Sequence, residues 1–342
     1  INHRSAEFRR LLLSVQERLQ QVAGLPEEVV VLTASGTGGL EAAVANTIQA
    51  GDRVLSVSIG HFGDRFAEIA RRFGAQVDRL GFDAGCRADP RLVQERLRTG
   101  SYRAVLLTHS ETSTGVLNDL VPLSEALDVA RERPLLLVDG VSSLGAVPVA
   151  AERVRADVFI TASQKAWMAP PGLAMLWVSE RAWQRIEGCP SPRLYLDLAV
   201  ARRYAKRGET PWTPALPQLY ALDAALDLIL QEGVAQVRAR HQRLASRFRE
   251  GLRKAGLELL AQEEWASPTV TAAWLPEAIS FEQVSARLES EHNVHVAGGQ
   301  GELKGKVLRV GHMGYIGDDS VDYLLHAIAE TIAFVRQNRE TA

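Results

Sequence analysis

From residue 29 to about residue 180, short apolar runs alternate with amphipathic stretches, which predicts an α/β protein built on a mostly parallel sheet with helices on both faces. Two further observations support that class. The apolar runs are continuous, as strands buried on both sides require, and each chemically distinctive stretch comes just after one of them. Ligand chemistry in such sheets gathers at the carboxyl ends of the strands.

The elements follow in order. A first helix is predicted over residues 5–22, where Phe8, Leu11, Leu12, Val15, Leu19 and Val22 form one stripe. Strands are predicted at 29–32, 54–57, 77–80, 104–107, 135–138, 158–160 and 173–178, with helices at 38–48, 62–73, 90–98 and 123–131 between them. Two helical stretches come next, 216–231 and 234–255, the second long, charged and able to bridge to another domain. A strand at 269–275, a helix at 281–291, a strand at 307–310 and a helix at 319–336 make a smaller α+β unit. The expected division is a large domain over 1–235 and a small domain over 236–342, with the N-terminal helix free to pack on the small one. Neither internal repeats nor low-complexity tracts interrupt the chain.

Composition excludes several function classes. The 342 residues are 46% hydrophobic and 23% charged with a formal net charge of −2, enough apolar material for a sizeable core and no basic excess for nucleic acid. Cys86 and Cys189 lie far apart, which predicts neither a disulfide framework nor a metal site and makes a reducing, cytoplasmic setting the default. No apolar run approaches the roughly 18–20 residues that span a bilayer. The sequence starts at Ile1 without a methionine or a signal-like stretch, so a short preceding segment is expected.

Six stretches carry candidate chemistry. Thr33-Ala34-Ser35-Gly36-Thr37-Gly38-Gly39 leaves a strand and opens a helix. Its glycines allow close backbone approach, the first-turn amides attract an anion, and Ser35 and Thr37 add hydroxyls. It lacks the lysine of a P-loop and the spacing of a dinucleotide fingerprint, so a lone phosphate monoester suits it better; an ordinary capped turn is the plainer alternative. Asp139 ends an apolar strand, where a carboxylate needs a cation such as a pyridinium, or donors from the following Gly140-Val141-Ser142-Ser143 turn. Lys165 follows the next strand, in the apolar frame Thr161 to Gly172. A desolvated lysine there is nucleophilic, unless it snorkels its head to solvent. Phe62 follows another strand and can stack on a flat ring or join the core. The polar run His109 to Gly115 suggests a binding loop or a hydrogen-bonded turn, and Arg309 inside an apolar strand suggests a carboxylate partner.

As an ordered set these residues resemble the class V aminotransferases of fold type I, particularly the alanine–glyoxylate and serine–glyoxylate branch. The matching stretches are Asn2-His3-Arg4, Ser35-Gly36-Thr37, Gly60 to Arg65, Glu111 to Gly115, Asp139 to Ser143, Ser163-Gln164-Lys165 with Pro170-Pro171-Gly172, and Arg309 to Gly314. The resemblance implies pyridoxal 5'-phosphate bonded covalently to Lys165, its phosphate held by Ser35, Gly36, Thr37 and Gln164, and its ring nitrogen by Asp139. It further implies Val141 and Phe62 on the two ring faces, where many relatives carry Trp or Tyr at the latter, Ser113 near the ring hydroxyl, and Arg309 on the substrate's α-carboxylate. Thr213, in Thr210-Pro211-Trp212-Thr213-Pro214, resembles the piece a neighbouring subunit contributes, so a homodimer is implied. The family usually begins with a Pro-Gly-Pro stretch, and this sequence starts just after that point.

The resulting expectation is a transaminase acting on a small amino acid (alanine, serine or aspartate) and a 2-oxo acid such as glyoxylate, pyruvate or 2-oxoglutarate. No metal, nucleic acid or membrane is expected to take part. An aspartate transaminase needs a second cation, which the sequence does not identify. A cysteine desulfurase lacks its C-terminal nucleophilic Cys here. A non-catalytic subunit of the same fold is opposed by the intact lysine, aspartate and arginine, and a nicotinamide oxidoreductase remains the fold-level rival.

Overall fold

The computed structural model describes residues 2–277 and 279–340; Ile1 and Ala342, the outer limits of the two expected domains, lie outside the described residues. Along the chain the strands are β1 (Glu28–Thr33), β2 (Arg53–Ser58), β3 (Gln76–Gly81), β4 (Ala104–Thr108), β5 (Ser110–Glu111), β6 (Val116–Leu117), β7 (Leu135–Asp139), β8 (Val158–Ala162) and β9 (Leu173–Val178). Seven of them form one sheet in the order β1-β9-β8-β7-β4-β2-β3. The neighbours from β8 to β3 are parallel, whereas β9 runs antiparallel to both β8 and β1. Two reversals restore β1 to the direction of β8, so β1, β2, β4, β7 and β8 all end at one edge.

Alternation along these strands sorts their side chains onto two faces. Val105, Leu107, Leu136, Val138 and Trp177 join a core with Leu12, Val15 and Leu19 of the helix Ala6–Ala23 and Leu219, Leu222 and Leu226 of the helix Leu216–Glu232. The N-terminal helix, which was free to pack on the C-terminal unit, instead packs on the large sheet's layer, its Phe8–Val22 stripe matching the apolar face of a neighbouring helix. Leu106, Leu137, Ile160 and Ala174 face the other way, onto Leu40 and Val44 of the helix Gly36–Thr47 and Phe66 of the helix His61–Arg72.

Three local expectations change. The stretch 123–131 is a short helix, Leu120–Glu125, tightening into a 3-10 turn, Ala126–Val129. Helices Glu180–Gly188 and Leu198–Ala205 were not expected from sequence; each is about two turns long and capped by Ser179 or Asp197, too short for strong periodicity.

The C-terminal unit has a second sheet of β10 (Glu258–Leu259), β11 (Val270–Trp274), β12 (Ala297–Gly298) and β13 (Val307–Gly311), ordered β10-β11-β13-β12 and antiparallel throughout. Leu244 and Phe248 of the helix Val234–Lys254, Val284 and Leu288 of the helix Phe281–His292, and Ile328 and Ile332 of the helix Asp318–Glu340 cover it. The β5–β6 ribbon joins the two units: Ser267 N donates to Gly115 O at 2.8 Å, and Ser110 Oγ lies 2.8 Å from Ser267 Oγ. Among the described residues no helix is long and apolar enough to cross a membrane.

Candidate active site

The helix Gly36–Thr47 starts directly after β1, with Ser35 as N-cap accepting from Gly38 N at 3.2 Å. Its first amides have no intrahelical partner and present partial positive charge. Close packing demands the glycines here: a Cβ on Gly36 would stand 2.9 Å from Val141 Cγ2, and one on Gly39 would stand 2.8 Å from Ile160 Cγ2.

Lys165 follows β8 on a tightly tied loop. Ser163 donates its amide to Leu173 O at 3.0 Å and its hydroxyl to Pro170 O at 2.6 Å, while Ala34 N donates to Gly172 O at 3.0 Å, linking this loop to the Gly-rich turn. Met168 N closes a turn on Lys165 O at 3.1 Å, with Met168 at φ 60. Trp167 anchors that turn, stacked on Trp177 at 5.8 Å and donating Nε1 to Thr161 Oγ1 at 3.1 Å. The loop that displays the amine is thus fixed from several sides.

Ser35, Gly36, Thr37, Phe62, Asp139, Val141, Gln164 and Lys165 line one cavity of about 170 Å3 at the carboxyl edge of the large sheet. That is roughly ten times the space a water molecule needs. Burial raises the Asp139 carboxyl to about 7; Val141 N, donating to Oδ1 at 3.0 Å, opposes the rise, and the Glu111 charge adds to it. Burial lowers the Lys165 amine from its ordinary value, Asp139 opposing and Arg309 reinforcing. The lowering favours the neutral, nucleophilic form of the amine, and a buried carboxyl whose Oδ2 has no hydrogen bond among the described residues suits a protonated ring nitrogen. A phosphate finds the helix start. The donor set therefore fits a phosphorylated pyridine aldehyde.

Other residues sit differently. Phe62 is on the helix His61–Arg72, with the Arg65 guanidinium 4.8 Å over its ring. Ser113 is buried but does not line the cavity. Its hydroxyl donates to Glu111 Oε1 at 2.6 Å and accepts from His61 N at 3.1 Å, while Ser110 and Thr112 line the cavity instead. Arg309, half-buried on β13, donates Nε to Gly298 O at 2.6 Å and Nη1 to Thr112 O at 2.9 Å, which places it behind Thr112. Thr213 lies apart from this cavity, in a separate crevice with Tyr195 and Trp212.

Sequence reasoning passed over two residues. Glu111 is fully buried and accepts from Phe62 N, Gly63 N and Ser113 N at 3.0–3.1 Å, so it fixes both the aromatic and the polar loop. The signal was a carboxylate in a run that follows a buried strand directly. Arg65 lines the cavity, three residues after Phe62 and so on the same helix face.

The profile of the class-V aminotransferases matches residues 1–316. An uncharacterized aminotransferase of Methanocaldococcus jannaschii is 40% identical over 325 residues, covering 94% of this chain and 84% of that protein. The small subunit of a soluble hydrogenase from Synechococcus is 36% identical, covering 97% and 87%. The crystal structure of an alanine–glyoxylate aminotransferase from Nostoc superposes with a TM-score of 0.93 at 33% identity, covering 97% of this chain and 89% of the other. With a family profile over most of its length and relatives that span nearly all of it, this chain belongs to the class V aminotransferases and is a pyridoxal-phosphate-dependent enzyme of fold type I.

Proposed function

We propose that this enzyme transfers the amino group of a small amino acid, alanine, serine or aspartate, to a 2-oxo acid such as glyoxylate, pyruvate or 2-oxoglutarate, in two half-reactions. The observation that carries the reading is that Lys165 and Asp139 line the same cavity, one with a depressed and the other with an elevated affinity midpoint for protons. The Nostoc relative, named for alanine and glyoxylate, supports the pairing of substrates.

Bound pyridoxal phosphate supplies an electron sink that stabilises negative charge at the substrate's α-carbon. The chain's own residues do the rest. Gly36 and Thr37 amides with Ser35 and Gln164 hold the phosphate, Val141 and Phe62 confine the ring, and Asp139 pairs with its nitrogen. Lys165 Nζ would hold the cofactor until the donor's amine takes its place, and would then act as the general acid–base that carries the substrate's α-proton. Arg309 holds the substrate carboxylate with Nη2, since Nε and Nη1 are engaged by main-chain carbonyls. Ser113 acts through Glu111 near the ring hydroxyl. Thr213 completes the phosphate site of a partner in a homodimer, and the chain works in the cytoplasm as two domains dividing near residue 235.

Arg65 favours a second reading, an aspartate donor. It is a cation on the cavity without a carboxylate partner among the described residues, which is what a side-chain carboxylate requires. Half-reactions of the holoenzyme with alanine, serine, aspartate and glutamate, followed by loss of the cofactor's visible band, test both readings. Reaction with at least one of the four is expected. Insensitivity to all four removes the reading and favours a non-catalytic subunit.

A further inference from the structure

We propose that Arg240 and His241 are positioning residues that clamp the loop 312–317 against the turn carrying Lys165 and so set Arg309 relative to the amine, an inference that rests on the transaminase reading above. The loop continues β13, the strand of Arg309, through Gly311 and His312 to Gly314. His241 is fully buried on the helix Val234–Lys254. Its Nδ1 donates to Val237 O at 2.8 Å, which leaves Nε2 as an acceptor, and Gly314 N donates to that atom at 3.0 Å. The adjacent Arg240 donates Nη1 to Gly314 O at 2.9 Å and to Ile316 O at 3.0 Å. Two consecutive side chains therefore hold the amide and the carbonyl of one glycine.

Both ends of this clamp have an address in the fold. Arg240 is itself held by Glu232, through Nε to Oε1 at 2.7 Å and Nη2 to Oε2 at 2.9 Å. Glu232 ends the helix Leu216–Glu232, whose Leu219, Leu222 and Leu226 belong to the large sheet's core. At the other end, Gly314 faces the Lys165 turn: a Cβ on it would stand 3.4 Å from Lys165 O and 3.8 Å from Met168 Cγ. Gly314 has φ +90, which disfavours any side chain. The Lys165 turn includes Met168 in the left-handed region, a conformation that persists only when its surroundings enforce it. The loop lies against that turn, and the clamp keeps it there.

His241 does not line the cavity, so its effect is on placement. His241→Leu removes the acceptor for Gly314 N, whereas His241→Gln restores an acceptor in a similar place. Hydrogen exchange on the holoenzymes reads the clamp without any turnover. The Leu variant should exchange faster both in 312–317 and in 165–169, and the Gln variant should approach the wild type. With the donor found above, the Leu variant should lose roughly 10- to 100-fold in kcat/KM, mostly in KM, again recovered by Gln. Faster exchange confined to 312–317, a Gln variant as impaired as Leu, or an unchanged KM overturns the proposal. Should the Leu variant fail to fold, Arg240→Met is measured in the same way, with the same outcomes. A wild type inert toward amino donors fails the functional reading alone, because the exchange data still judge the clamp.

Discussion

At the scale of single residues, the site depends on charges that burial has displaced. Asp139 is held near 7 in the folded chain against an ordinary value of 3.8, because its carboxylate is desolvated. The folded state therefore holds that proton more tightly than the unfolded chain. The carboxyl's contribution to stability is complete below about pH 4 and is lost as pH rises through about 7, at a cost of up to about 4 kcal/mol. Cofactor-free Asp139→Asn should accordingly melt higher than the wild type at pH 8 and close to it at pH 4, by calorimetry; equal melting at both values contradicts this. Burial raises the Glu111 carboxyl as well, but three amides and a hydroxyl donate to it and oppose the rise. Glu111→Gln should cost roughly 2–3 kcal/mol in chemical denaturation and weaken cofactor binding, since one of the two acceptor oxygens, serving either Phe62 and Gly63 or Ser113, becomes a donor facing donors. Lys165, Asp139 and the Ser35–Thr37 turn were legible in the sequence, because each breaks an apolar context at a strand's end. Glu111 was harder to assign. Its value lies in amides contributed 48 and 49 residues earlier in the chain, which spacing does not reveal.

At the scale of elements, the β1 to helix Gly36–Thr47 junction shows how packing builds a phosphate cradle. Gly36 is pressed against Val141, the residue that would lie under the ring. Gly36→Ala should push Val141 outward, lowering cofactor affinity by about tenfold or more for a stability loss of about 1–3 kcal/mol. Titrating cofactor into the apoprotein measures this, and an unchanged affinity refutes it. The strands of the large sheet were read correctly from continuous apolar runs, since burial on both faces leaves that pattern. The helices Glu180–Gly188 and Leu198–Ala205 escaped because two turns bury only a few residues each: Ala182, Trp183 and Ile186 in one, Leu198 and Ala201 in the other. The β5–β6 ribbon was visible only as a polar loop. Its strands are two residues long, and its partners lie in the C-terminal unit.

At the scale of the whole molecule, the same edge of the large sheet collects the Gly-rich turn, Asp139 and Lys165, while the β5–β6 ribbon and the loop 312–317 bring β13 toward them. Thr213 is the element this arrangement leaves over. It shares its crevice with a stacked Tyr195–Trp212 pair, the rings 6.2 Å apart and both partly exposed. A dimer is therefore expected from light scattering, and Thr213→Ala should weaken cofactor binding there; a monomer of 37.4 kDa contradicts it. All of this converges on one amine. The decisive measurement is borohydride reduction of the protein loaded with pyridoxal phosphate, followed by peptide mass spectrometry. The account predicts a single reduced adduct on Lys165, abolished together with turnover in Lys165→Ala; an adduct on another lysine, or retained turnover in that variant, contradicts it.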